Sequence, residues 1–89
     1  MEHICFSQIL HLVSKGYSVN FSKAEEFRPQ QMLRIIMSKG EHHHMELVDM
    51  SYETRKQSNL SVDYLISRAL TRSEWELDNY IEQQMENEQ

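Results

Sequence analysis

The chain has 89 residues, of which 39% are hydrophobic and 26% charged, with a single cysteine and a formal net charge of -5 at pH 7. This length and composition predict one small globular domain covering residues 1–89, with no separate cofactor domain. One cysteine excludes an intramolecular disulfide, and the acidic balance disfavours direct binding to nucleic-acid phosphates. The sequence shows no signal peptide and no run of 18 apolar residues, so we expect no membrane association and a cytoplasmic location.

The first element is predicted to be an amphipathic helix over residues 3–15. Lys15 and then Gly16 favour its end, because a cation suits the negative end of the helix dipole and glycine accepts a positive φ. Cys5 has apolar neighbours, which favour a buried thiol over a reactive one. The apolar face with helical spacing is Phe6, Ile9, Leu10 and Val13.

Three strands are predicted to follow this helix. Residues 17–22 alternate between apolar and polar side chains, which is typical of a half-buried strand. Residues 31–37 form the second predicted strand, with Leu33, Ile35 and Met37 on one face and Met32, Arg34 and Ile36 on the other. Residues 42–50 return as the third strand after a hairpin turn in which Gly40 supplies a positive φ. The apolar residues of this third strand change face, which indicates either two partly covered faces or a β-bulge.

Two helices are predicted for the remainder of the chain. Apolar periodicity marks residues 60–70, with Asn59 or Ser61 as the N-cap. Two capping-box patterns, Thr71-Arg-Ser-Glu74 and Ser73-Glu-Trp-Glu76, indicate that a further helix begins here and covers about residues 73–86. The expected fold is therefore α+β, in the order α-β-β-β-α-α, with a three-stranded antiparallel β-meander packed against helices.

One hydrophobic core is expected to draw on all these elements except the last helix. Each member has an apolar side chain at a position that the helical or strand period turns inward. The expected members are Phe6, Ile9, Leu10, Val13, Val19, Phe21, Leu33, Ile35, Leu47, Leu65, Ile66 and Leu70.

A histidine tract follows the hairpin turn. On a strand, His42 and His44 point to one side and His43 to the other, and two imidazoles hold Zn²⁺ only with further ligands. The available candidates are His3, His11 and Glu46. Because no spacing selects any of them, we expect a polar strand and neither a metal nor a cofactor.

Motifs of catalysis are missing from the sequence. It has no Gly-rich phosphate loop, no Gly-x-Ser-x-Gly and no recognisable nucleophile–base pair, so we expect a protein that is not an enzyme. The order α-β-β-β-α also occurs in double-stranded RNA-binding domains, which carry a basic cluster at the start of their final helix. Here that position reads Asn59-Leu60-Ser61-Val62-Asp63, so we expect the topology without direct nucleic-acid binding.

Negative charge is concentrated in the last helix. Residues 73–89 contain six acidic residues and no Lys or Arg, whereas residues 1–72 contain nine basic and eight acidic residues. The carboxylates could enter a basic groove of a partner, with aromatic side chains as anchors, or they could form only a solvated face. The candidate partner-binding residues are Glu74, Trp75, Glu76, Asp78, Tyr80, Glu82 and Glu86.

Three features of the layout occur together: an opening helix that ends in Lys15-Gly16-Tyr17-Ser18-Val19-Asn20-Phe21, a hairpin of two longer strands and an acidic helical C-terminus. This layout resembles that of small phage-encoded anti-CRISPR proteins, and the resemblance implies an inhibitor that occupies the DNA-binding surface of a nuclease in the host cytoplasm. The partner would then be a host protein with a basic surface. The turn around Lys39 is basic and histidine-rich, which leaves the acidic helix as the candidate for DNA mimicry. The alternative is a small structural or regulatory phage protein that associates with itself as a homodimer.

Overall fold

The computed structural model describes residues 4–25, 32–51, 56 and 61–87. Its three strands form one antiparallel sheet in which they are neighbours in chain order, which confirms the predicted α+β class and three-stranded meander. In the part of the chain that is described, neither helix is both long and apolar enough to cross a membrane. The elements are α1 (Ile4–Ser14), β1 (Ser18–Lys23), β2 (Met32–Lys39), β3 (His42–Asp49) and α2 (Val62–Asn87).

The turn after α1 forms as predicted from Lys15 and Gly16. Gly16 has a φ of 94°, its N–H donates to the carbonyl of Val13 at 3.0 Å, and the N–H of Tyr17 donates to the carbonyl of Leu12 at 3.0 Å. These two bonds define a Schellman motif, which satisfies carbonyls at the helix end. The side chains of Leu12 and Tyr17 are both buried in the core, so the turn fixes the direction in which the chain enters β1.

The hairpin of β2 and β3 is regular. Its strands pair one residue to one along their whole length, with Gly40 in the turn at a φ of 63°, so β3 contains no bulge. Val48 lies on the helix-covered side with Ile35 and Met37 of β2. Leu47 was expected in the core, but strand alternation places it on the opposite side of the sheet, away from the core cluster.

The buried face of α1 differs from the predicted one. Phe6, Leu10 and Val13 are 61%, 56% and 54% exposed, whereas Leu12 is fully buried and Ile9 packs against the core. The prediction of a core formed by Phe6, Leu10 and Val13 is therefore wrong. The helix has apolar residues on two sides, and periodicity within one helix contains no information about which side meets its neighbours.

Gln8 shows what holds α1 in this orientation. Ser67 Oγ donates to Gln8 Oε1 at 2.6 Å, and Gln8 Nε2 donates to Thr71 Oγ1 at 2.8 Å, so one amide side chain bridges two residues of α2. Gln8 lies one turn before Leu12 on the same side of α1. The apolar contact of Leu12 and this pair of hydrogen bonds therefore favour the same orientation.

The two helices predicted after residue 60 are one continuous helix. Thr71 and Ser73 do not cap a new helix: Thr71 Oγ1 donates to the carbonyl of Ser67 at 3.0 Å, and Ser73 Oγ donates to the carbonyl of Ala69 at 2.8 Å. These bonds to the preceding turn are typical of Ser and Thr inside a helix. No Gly or Pro follows Gly40 in the sequence to interrupt the helix, so the element order is α-β-β-β-α.

The core lies between the sheet and the two helices. Of the expected members, Ile35 and Leu70 are fully buried, whereas Phe21 is partly exposed on the edge strand β1. Six residues of the buried cluster were not among the expected members: Leu12, Tyr17, Met37, Val48, Ala69 and Leu77. The buried cluster is Leu12, Tyr17, Ile35, Met37, Val48, Ala69, Leu70 and Leu77, with Ile9, Val19, Leu33, Met50, Leu65, Ile66 and Ile81 packed against it.

Candidate partner-binding surface on the C-terminal helix

Helix α2 begins at a capped end and presents one side to the core. Ser61, one of the two predicted caps, accepts a hydrogen bond at Oγ from the N–H of Tyr64 at 3.2 Å, and its carbonyl accepts the N–H of Leu65 at 3.1 Å. Asn59, the other predicted cap, lies outside the described residues. The inward residues, one or two turns apart, are Ile66, Ala69, Leu70, Ser73, Leu77 and Ile81.

Two of the candidate residues, Glu74 and Asp78, lie on the flank of α2 that faces the α1–β1 junction. Lys15 Nζ donates to Glu74 Oε2 at 2.9 Å, and the hydroxyl of Tyr17 donates to the carboxylate of Asp78. The hydrogen bond with Glu74 raises the pKa of Lys15 above its ordinary value. Both carboxylates therefore already have partners within the fold.

Three further candidates, Trp75, Glu82 and Glu86, lie on the outer side of α2. Their spacings of seven and four residues place them on one stripe of an α-helix. Trp75 is 63% exposed, and among the described residues neither Glu82 nor Glu86 has a hydrogen-bond or ion-pair partner. These side chains are therefore available to another molecule.

Sequence reasoning missed two residues of the same side. Tyr64 and Arg68 are exposed, and they precede Trp75 by eleven and seven residues, which extends the stripe toward the start of α2. Spacings of seven and eleven residues place side chains on the same side of one helix, so the sequence could have predicted this only if one helix had been expected to continue through residue 71. We call Tyr64, Arg68, Trp75, Glu82 and Glu86 the outer stripe.

The last two candidates, Glu76 and Tyr80, lie on the flank that borders the β2–β3 turn. The ring of Tyr80 meets the ring of His42 edge to face, with centroids 5.3 Å apart and an interplanar angle of 70°. A cleft of about 370 Å³ opens between the turn and the helix, and we call it the histidine cleft. It is lined by Glu41, His42 to His44, Glu76, Leu77 and Tyr80.

Glu46 connects β3 to α2 beside this cleft. Its Oε1 lies 2.9 Å from Nε2 of His44 and 3.2 Å from Nε of Arg72, and its Oε2 lies 3.1 Å from Nη2 of Arg72. Burial alone would raise the pKa of Glu46, but the hydrogen bonds with His44 and Arg72 and the charges of these two groups outweigh it. The pKa of Glu46 is therefore held below its ordinary value of 4.5.

The depressed pKa of Glu46 predicts an acid-dependent loss of stability. A carboxylate whose pKa is lower in the folded than in the unfolded state stabilises the fold above its unfolded pKa, and this contribution disappears as pH falls through the folded pKa. Between about pH 5 and about pH 3, the free energy of unfolding in urea should therefore fall more steeply for the wild type than for Glu46→Gln. Glu82→Gln, at an exposed carboxylate, should keep the wild-type slope, and equal slopes for Glu46→Gln and the wild type would contradict the prediction.

The histidine tract does not assemble a metal site in the part of the chain that the structure describes. His42 and His44 share one side of β3 as expected, and this is the side that α2 covers; His43 faces the other way, with Nδ1 2.8 Å from Ser38 Oγ. Within that same part, no group of three or more His, Cys, Asp or Glu side chains is arranged to hold a metal ion. His3, one of the proposed additional ligands, lies outside the described residues.

Comparison of the chain with protein-family models, with curated proteins and with solved structures finds no significant match. Function is therefore inferred from the chemistry of the three outward sides of α2. The flank toward α1 is occupied within the fold. The outer stripe and the histidine cleft both offer exposed aromatic rings and carboxylates that have no partner among the described residues.

Proposed function

We propose that the protein is a small non-catalytic binding protein that contacts another protein through the outer stripe. The observation that supports this most strongly is the exposure of Trp75 on a helix whose inward side is already filled by Leu70, Ser73 and Leu77. An exposed tryptophan on a rigid helix contributes little to the fold, and tryptophan is among the residues most enriched in binding hot spots. No catalytic step is proposed, because the sequence carries no phosphate loop and no nucleophile–base pair.

The partner in this proposal has a basic surface. Glu82 and Glu86 follow Trp75 along the outer stripe, and their carboxylates would pair with Lys or Arg side chains around the site that receives the indole. Exposed charges of this kind mainly raise the association rate and favour partners of opposite charge, and they contribute less to the affinity. Glu74 and Asp78 would add to the negative potential, although their oxygens are partnered within the fold.

A host macromolecule is the partner favoured by the layout shared with small phage-encoded inhibitors. A defence nuclease has the required chemistry, since its nucleic-acid groove is lined with Arg and Lys. In this proposal the protein acts in the cytoplasm of the host cell, where its acidic helix occupies that groove and excludes the nucleic acid.

Two substitutions on the outer stripe test the proposal. A partner captured from a lysate of the source cells by the wild type is purified, and its binding rates are measured with each variant. Trp75→Ala should weaken binding by about 30-fold or more, mainly through faster dissociation, as expected for a hot spot. Glu82→Lys should slow association, and this effect should shrink when salt is raised from about 0.1 M to about 1 M because the charges are screened.

Glu25→Lys is the matched control for Glu82→Lys. It makes the same change of charge on an exposed residue beyond the end of β1, far from α2 in the sequence. It should leave the association rate close to that of the wild type, and circular dichroism should show that every variant is folded. A partner that binds the wild type, Trp75→Ala and Glu82→Lys with the same rates would overturn the proposal.

Self-association through α1 is a second candidate function. Phe6, Leu10 and Val13 form one exposed apolar stripe, and α1 contains no Asp, Glu, Lys or Arg. Two copies could therefore place their α1 helices together about a two-fold axis without like-charge repulsion at the contact. This arrangement would suit a small structural or regulatory phage protein whose partner is itself.

Phe6→Ala separates the two candidates, because Phe6 and Trp75 are exposed to nearly the same degree. If the outer stripe binds the partner, Phe6→Ala should retain the wild-type rates with that partner. If α1 forms a homodimer, sedimentation velocity should show a wild-type dimer that Phe6→Ala, but not Trp75→Ala, converts to monomer. A wild type that remains monomeric as its concentration is raised would refute self-association.

A further inference from the structure

The histidine cleft has an apolar base and polar walls from two different elements. Leu77, which is almost fully buried, lies at its base, Glu41 approaches from the β2–β3 turn and Glu76 from α2. Tyr80, one turn after Glu76, closes the helix side with a ring that is 49% exposed. The cleft of about 370 Å³ therefore combines two carboxylates with an aromatic surface.

The two carboxylates of the cleft differ from that of Glu74 in their contacts within the described part of the chain. Among the described residues, Glu41 and Glu76 have no hydrogen bond or ion pair, unlike Glu74, whose oxygen is taken by Lys15. A cationic group of another molecule would therefore find acceptors that the fold does not use.

The basic residues beside the cleft are held elsewhere. Lys39 pairs with His42 across the hairpin, but its Nζ lies 4.6 Å from the centre of the Tyr17 ring. Arg72, one turn before Glu76, directs its guanidinium to Glu46. Neither of these two basic residues therefore supplies a cation to the carboxylates of the cleft.

The aromatic rings favour one class of cation. An arginine guanidinium is planar, stacks on aromatic faces and donates from several N–H groups to carboxylates at once, whereas a lysine ammonium is a strongly hydrated point charge. Tyr80 is half-exposed, its ring meets that of His42 edge to face, and it lines the same cleft as Glu41 and Glu76, so it offers such a surface. A nucleic-acid phosphate would instead be repelled by both carboxylates.

We propose that the histidine cleft is a binding site for the guanidinium of an arginine side chain presented by a protein partner. The proposal rests on the proposed function, in which the partner surface is basic, and it names a residue that this surface must carry. The planar group would lie against Tyr80 above Leu77, with its N–H groups directed to Glu41 and Glu76. The outer stripe on the neighbouring side of α2 would contact the surface around that arginine.

Titration with a small arginine compound tests the site without the partner. The probe is Nα-acetyl-arginine methylamide, added at pH 7.5 and low salt, where imidazoles are in general mostly uncharged. Side-chain NMR signals of His42, Leu77 and Tyr80 should shift with a dissociation constant in about the millimolar range, and the corresponding citrulline compound should bind about five-fold or more weakly because it has no charge. Shifts that are equal for both compounds, or that do not include these three residues, would overturn the proposal.

Two matched double variants locate the binding to the cleft. Glu41→Gln with Glu76→Gln should weaken binding of the arginine probe by about ten-fold or more, since it removes both charged acceptors. Glu82→Gln with Glu86→Gln removes the same charge from the outer stripe and should change binding by less than about two-fold. All four side chains are exposed, so both proteins should fold, and an equal loss in the two would show a general charge effect and contradict the site.

The two proposals fail in different ways. If the arginine probe binds as expected but partner binding is unaffected by Trp75→Ala and Glu82→Lys, the outer stripe is wrong and the cleft stands. If those two variants weaken partner binding but the probe does not shift His42 or Tyr80, the outer stripe stands and the cleft is wrong.

Discussion

Leu12→Ala is expected to lower the free energy of unfolding by about 2–5 kcal/mol, whereas Leu10→Ala should lower it by less than about 1 kcal/mol. The two leucines are two residues apart on α1, but Leu12 is fully buried in the core and Leu10 is more than half exposed. Truncation of Leu12 removes buried apolar surface and leaves a cavity, while truncation of Leu10 exposes little that was covered. Urea unfolding followed by circular dichroism measures both values.

The comparison controls for helix propensity, because both variants make the same Leu-to-Ala change inside the same helix. It also decides which face of α1 meets the rest of the fold. If Leu10→Ala proved the more destabilising of the two, the face predicted from the sequence would be the buried one, and the orientation described for α1 would be wrong.

Arg72→Pro is expected to destabilise the fold by about 3 kcal/mol or more. In a continuous α2 the residue lies in the helix interior, so proline removes a backbone hydrogen bond and its ring clashes with the preceding turn. In the arrangement predicted from the sequence, the same position would be the first helical residue, where proline is favoured, if Thr71 were the cap, and would lie just before the helix if Ser73 were the cap. Arg72→Pro therefore distinguishes a continuous helix α2 from two separate helices.

Arg72→Ala is the control, because Arg72 also pairs with Glu46 across the gap to β3. The alanine variant loses the ion pair but keeps the helix, and for a half-exposed arginine that loss should be about 1 kcal/mol. The difference in free energy of unfolding between the proline and alanine variants then measures the cost to the backbone. No difference between them would mean that the helix is interrupted at this point.

The sheet could be predicted from the sequence because its signals are local. Alternation fixes which residues of β2 share a side, and Gly40 marks the turn that sets the register of the hairpin. The turn at Gly16 could be predicted for the same reason, since the Schellman motif depends on a few consecutive residues. Each of these features is determined within about ten residues of chain.

The face of α1 could not be predicted, because it depends on residues that are distant in sequence. The contacts of Gln8 with Ser67 and Thr71 join residues about sixty positions apart in the sequence, and no pattern within α1 predicts them. The division of the acidic residues among three sides of α2 was missed for a related reason. Thr and Ser followed by Glu occur both at the start of a helix, as a capping box, and inside a helix, where the hydroxyls donate to carbonyls of the preceding turn. Only the burial of Ser73 in the core decides that these residues lie inside a helix.

Trp75 is the only tryptophan of the chain, and it stands outside the core. Its indole is largely in water whether the protein is folded or unfolded, so the wavelength of its fluorescence emission maximum should change little on denaturation. A macromolecule that covers the outer stripe would instead move this fluorophore into a drier environment and shift its emission to shorter wavelength. The emission wavelength of Trp75 should therefore report complex formation while responding little to unfolding.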